Sequence, residues 1–154
     1  MSGSEDPAVI RSIAVTIDDV LTAYEAIRQR DVTVVLRITP PFSGRMRARI
    51  HAGATEYDGR PAPVHVRPAE LIDENSTGPY PTPDRTEDEL RADPDESYSP
   101  ERHHDYHADR IDAWRDRARD AIVDTVEIDT PDGSHEIGVK TLGSVGKPGA
   151  TDED

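Results

Sequence analysis

The chain has 154 residues, with 32 acidic against 18 basic side chains for a formal charge of −14, and it contains no cysteine. These facts exclude disulfides, thiolate metal sites and cysteine nucleophiles, and the length favours one domain with tails over two. Apolar runs such as Val34–Leu36 are far too short to span a bilayer, and the first residues lack the basic-then-apolar order of a signal peptide. A cytoplasmic chain with no membrane partner is the expectation.

Lys140 and Lys147 are the only lysines, and one Phe and one Trp are the only large aromatics besides tyrosine. This bias toward carboxylates, few lysines and small apolar side chains resembles the composition of proteins from extremely halophilic archaea. At molar salt the Debye length shrinks to roughly 3 Å. The acidity then keeps the surface hydrated and is not in itself an interaction signal.

Residues 1–11 are small and polar and read as a mobile tail. Thr16 can cap a helix over 17–29, because Asp19 falls three positions later and Val20, Leu21, Tyr24 and Ile27 recur at helical spacing. From Val32 to Ala52 the period changes to two on both sides of Pro40-Pro41-Phe42-Ser43-Gly44, which predicts a hairpin with a five-residue loop. Shared apolar faces would set Ile38 opposite Met46, Leu36 opposite Ala48 and Val34 opposite Ile50, with Arg37 across from Arg47.

Val64-His65-Val66 is a short strand candidate, and Pro68 can open about one helical turn. From Asp73 to Ser99 apolar residues give way to acids and prolines, so this stretch reads as a disordered acidic insertion. Ser99-Pro100-Glu101 starts the most secure helix, from Pro100 to about Ile122, with Ile111, Trp114 and Ala118 on one stripe. Val126 and Ile128, the turn Thr130-Pro131-Asp132-Gly133, then Ile137 and Val139 give a second hairpin. Residues 143–154 read as a flexible acidic tail. The fold class expected is α+β: one domain over 12–142, an antiparallel sheet of four to five strands with the two main helices on one face, and the insertion at 73–99.

The second strand of the first hairpin places Arg45, Arg47, Arg49 and His51 on one face, joined by Arg37 from its neighbour. Between Val32 and Arg67 stand six arginines and two acids, a local +4 that leaves −18 for the remainder. Like charges opposite one another on a sheet are destabilising, so the stripe needs anions. Either the chain's own carboxylates supply them, or an anionic partner does: nucleic acid or an acidic protein surface.

His103 and His107, four apart on the secure helix, share a face and are the metal candidates, with His51 and His65 as the further ligands if the tertiary fold brings them there. Two ligands do not complete a site, and the His-Glu-x-x-His protease pattern is absent because His104 follows His103. The glycine-rich end has neither the spacing nor the hydroxyl of a phosphate-binding loop. Nothing points to a cofactor or a nucleophile. The expectation is a non-catalytic binding or regulatory module using Arg37, Arg45, Arg47, Arg49 and His51; the alternatives are a metal protein or enzyme centred on His103 and His107, and a homo-oligomer.

Overall fold

Thr16 ends a strand and opens a helix, and the larger part of the fold grows from that junction. The computed structural model describes residues 4–53 and 62–142. Strand β1 (Ser12–Thr16) buries Ile13 and Val15 and is followed at once by α1 (Ile17–Arg30). The Thr16 hydroxyl accepts the Asp19 N–H at 3.0 Å. Asp18 and Asp19 in the first turn and Arg28 and Arg30 in the last both oppose the helix dipole.

The strands are β2 (Val34–Ile38), β3 (Arg45–Arg47), β4 (Arg49–Ala52), β5 (Val64–Val66), β6 (Thr125–Thr130) and β7 (Gly133–Leu142). A 3-10 turn, Pro68–Leu71, follows β5. Together with α1 they form one unit, running up to Ile72 and resuming at Ile122; residues 73–121 form the other.

The α+β class holds, but the single antiparallel sheet does not. Among the described residues there are two sheets: a mixed one of four strands in the order β3-β1-β7-β6, and an antiparallel one of three in the order β4-β2-β5. In the first, β1 runs parallel to both β3 and β7, and β6 and β7 form the expected hairpin.

The Val32–Ala52 hairpin is recast. The Gly44 carbonyl accepts the N–H groups of Arg11 (2.8 Å) and Ser12 (3.0 Å), which draws β3 alongside β1 instead of β2. Fully buried Ala48 then donates its N–H to Ala14 at 3.0 Å, and beyond it the chain leaves for the second sheet. There β4 pairs with β2, setting Leu36 opposite Ile50 and Arg37 opposite Arg49. This register is offset by two residues from the one expected, and because a pleat repeats every two residues the facing of each side chain survives.

The amino-terminal residues are also built into this unit. Ser4 bridges Phe42 through paired backbone hydrogen bonds, residues Pro7–Val9 make a 3-10 turn capped by Asp6, and Ile10 is completely buried. Phe42 folds onto the core.

The Asp73–Ala121 unit corrects the reading of a disordered insertion. It contains α2 (Glu74–Thr77), α3 (Pro83–Ala92) and α4 (Pro100–Arg119), each opened by a side-chain cap: Asp73, Thr82 and Ser99. The segment has few apolar residues, yet Tyr80, Thr86 and Leu90 are all buried along with Trp114. Three of its acids have arginine partners: Glu87 pairs with Arg91 (2.9 Å), Glu96 with Arg102 (2.7 Å) and Glu89 with Arg110 (3.3 Å). The two main helices, α1 and α4, thus fall in different units instead of lying on one sheet. The tail read at 143–154 lies outside the described residues.

Candidate anion-binding face

The strand pairings decide where each basic side chain stands. On the four-stranded sheet, Ile13, Met46 and Val139 occupy one row, with Ile13 and Val139 buried. The adjacent rows, Ser12 with Arg45 and Ala14 with Arg47, therefore face outward. Lys140 lies opposite Ala14 on its other side. The same face ends on β6 and β7 with Glu127 directly opposite Glu136, so it grades from basic at β3 to acidic at β6.

The three-stranded sheet holds the rest of the stripe. Arg37 has Arg49 across from it on β4 and His65 across from it on β5, and His51 lies opposite Val35. The Arg37 Nε–H donates to His65 Nε2 at 2.9 Å, so His65 is neutral with its proton on Nδ1. The rings of His51 and His65 stack 6.2 Å apart at 11°. Burial, then the Arg37 charge, then His51 hold the His65 imidazole below its ordinary range. The expected five residues are thus divided between two sheets, and His65 joins them. Alternation about Val64 and Val66 shows which way His65 points, but only the pairing of β5 with β2 brings it to Arg37.

Partners separate these arginines from the others. Among the described residues, no carboxylate forms an ion pair with Arg45, Arg47 or Arg49. Arg47 Nε is buried with no hydrogen-bond partner among the described residues. By contrast Arg67, outside the stripe, is bound by Glu70 at 2.7 Å. The Ser43 hydroxyl donates to the Arg45 carbonyl at 3.0 Å.

His103 and His107 meet on α4, as the spacing requires, but around a hydroxyl. His103 Nε2 and His107 Nδ1 each lie 2.9 Å from Oγ1 of buried Thr86 on α3. His103 Nε2 is also 3.1 Å from the Pro83 carbonyl, which can only accept, so this nitrogen carries a proton. The single Thr86 hydroxyl proton is shared among His107 Nδ1 and the Thr82 and Pro83 carbonyls, each of the latter 3.2 Å away. Among the described residues no group of three or more histidine or acidic side chains could hold a metal ion. His51 and His65, the other two ligands considered, belong to the other unit.

This arrangement has a pH consequence. Burial, followed by the nearby His103 and His104, keeps His107 below the usual histidine pKa. Its neutral form is favoured in the fold, so its contribution to stability is complete above the unfolded value near 6.5 and is lost as pH falls through the folded value. Urea midpoints measured from pH 7.5 to pH 5 should fall, and the fall should shrink in His107→Gln. Thr86→Val, which deletes the shared hydroxyl, should cost about 1–2 kcal/mol at pH 7.5.

Among the described residues no helix is long and apolar enough to cross a membrane. A family model described as Domain of unknown function (DUF8009) matches residues 1–143. No curated protein and no solved structure matches the chain.

Proposed function

The chain belongs to the DUF8009 family, and we propose that it is a non-catalytic binding module whose arginine-lined strands take an anionic partner, foremost the phosphate backbone of nucleic acid. One observation carries this reading. In a chain with 32 acids, Arg45, Arg47 and Arg49 have no carboxylate partner among the described residues.

Arg45 and Arg47 stand two positions apart on β3, a backbone repeat of roughly 6.6 Å, and Arg49 follows on β4 beyond Ala48. The acidic remainder of the chain disfavours nonspecific coating by polyanions and confines binding to this track. In a salt-rich cytoplasm, which the composition supports, screening removes long-range attraction. Bidentate arginine contacts then carry the affinity.

The test is fluorescence anisotropy with single-stranded and duplex nucleic acid and with an acidic peptide, from 0.1 to 3 M KCl. Arg45→Ala/Arg47→Ala/Arg49→Ala should lose on the order of 100-fold to 1000-fold in nucleic-acid affinity at low salt, at about 1.5 kcal/mol for each charge-assisted contact with some non-additivity. Its salt slope should flatten by about 2.7, at 0.9 per lost contact. Stability should stay within about 1 kcal/mol of the parent. Equal binding by the variant overturns the proposal, and so does absence of binding by the parent together with a destabilised variant. Preference for the acidic peptide would sink the nucleic-acid assignment and leave a protein partner.

A further inference from the structure

We propose that the open edge of β6 is a docking groove for an extended cationic peptide, which joins the four-stranded sheet as a further strand with basic residues alternating with small apolar ones. The groove lies at the opposite edge of that sheet from β3 and does not depend on the proposed arginine face.

Backbone direction defines the edge. Among the described residues β6 pairs with β7 alone. The Asp124 carbonyl accepts the Val139 N–H at 2.7 Å, and the same register turns the backbone groups of Val126, Ile128 and Thr130 toward β7. The N–H and C=O groups of Thr125, Glu127 and Asp129 therefore point the other way, along an edge that no described strand covers. Such a row of unpaired groups is a template for one more strand.

The edge opens into a groove and not onto flat surface. A cavity of about 1320 Å³ runs between β6 and the segment 62–67 that contains β5. Val64, Val126 and Ile128, all buried, give it an apolar side.

Charge selects the occupant. Glu5, Glu127, Asp129 and Glu136 border the groove, and among the described residues none of them forms an ion pair. Arg67, on the β5 side, is already bound by Glu70 at 2.7 Å. Glu127 stands directly opposite Glu136, a like-charge pair that a cation beside them would relieve. The residues of β6 whose backbone groups line the open edge also carry the exposed carboxylates, Glu127 and Asp129, while Val126 and Ile128 face in. An added strand continues the pleat of its neighbour, so its side chains beside Glu127 and Asp129 are cationic and those between them apolar. A net charge of −14 sets copies of this chain against one another, which favours a separate peptide over a second copy.

The full chain would be titrated in 0.1 M KCl with a peptide of six residues, the length of β6, in which arginine alternates with valine. Amide hydrogen exchange would be followed by NMR. Binding should slow exchange at Thr125, Glu127 and Asp129 at least about tenfold, with little change at Val126 and Ile128, whose groups already face β7. Glutamate in place of the peptide arginines should abolish binding. N-methylation of alternate peptide amides, which keeps the charge but removes strand donors, should weaken binding at least about tenfold. Glu127→Gln/Asp129→Asn should weaken it by a factor on the order of ten. Arg45→Ala/Arg47→Ala/Arg49→Ala should leave it intact, which separates this groove from the nucleic-acid face. Absence of binding by the parent, or binding with unmoved exchange at the three edge amides, overturns the proposal without any variant having to fold. Indifference to N-methylation at either set of alternate amides also overturns it, because the acids would then act only as diffuse charge. Slowed exchange at the same amides that grows with protein concentration in the absence of peptide overturns it as well, and assigns the edge to a second copy.

Discussion

Trp114→Ala is expected to destabilise the Asp73–Ala121 unit by about 3–5 kcal/mol, the usual range for emptying a large aromatic site. Trp114 is completely buried, and Tyr80 meets it edge-on at 4.8 Å between ring centroids. Its indole N–H donates to the Gly78 carbonyl at 3.3 Å, which also accepts the Thr77 hydroxyl at 2.8 Å, so the loss on truncation is chiefly one of packing. Trp114→Phe keeps most of the packing but loses the donor, and should cost less, about 1–2 kcal/mol. Because Trp114 is the chain's one tryptophan, unfolding in urea would be followed by far-ultraviolet circular dichroism. An alanine variant that loses less than about 1.5 kcal/mol would mean that the acidic segment is not packed on α4 as described.

Leu36→Ala should be nearly as severe, at about 2–5 kcal/mol, whereas Ile50→Ala, its direct partner across the ladder, should cost under about 1 kcal/mol. The two residues occupy one row of one sheet face. Leu36 is wholly buried on the central strand, while Ile50 on the edge strand remains 39% exposed. Truncating Ile50 removes little area that was hidden from water. Were the strands in the register first expected, Ala48 would lie opposite Leu36 and Ile50 opposite Val34. Equal losses at Leu36 and Ile50 would therefore argue against the pairing and not merely against the magnitude.

Local chemistry was legible wherever a residue acts on its own backbone neighbours. Thr16 and Ser99 start their helices by accepting N–H groups three residues on, and Thr130 to Gly133 turn β6 into β7, all within a few positions. The facing of Arg45, Arg47, Arg49 and His51 was legible for the same reason, since alternation survives any change of partner. Partner choice was not. That β3 joins β1 depends on the Gly44 carbonyl receiving Arg11 and Ser12, a link across more than thirty positions that no period records.

The 73–99 stretch misled for a different reason. Composition counts its acids as solvated charge, but Glu87, Glu89 and Glu96 are held by arginines, two of them on α4, and a handful of apolar anchors suffices when a long helix supplies the opposing surface. His103 and His107 were rightly placed on one face. Their engagement with Thr86 required knowing that α3 exists.

Ala48 has a consequence for how this chain can drift over evolutionary time. It is the single residue between strands of two different sheets, so its neighbours Arg47 and Arg49 are kept in step by counting and not by contact. Exchange of one cation for another along the track changes a charge or a fork. Gain or loss of one residue at Ala48 instead shifts β4 by half a pleat repeat, which would turn Arg49 and His51 toward the interior and bring Ile50 outward while Arg45 and Arg47 stay put. Relatives of this chain should thus tolerate variation in the letters of the 45–51 stretch far more readily than any change in its length.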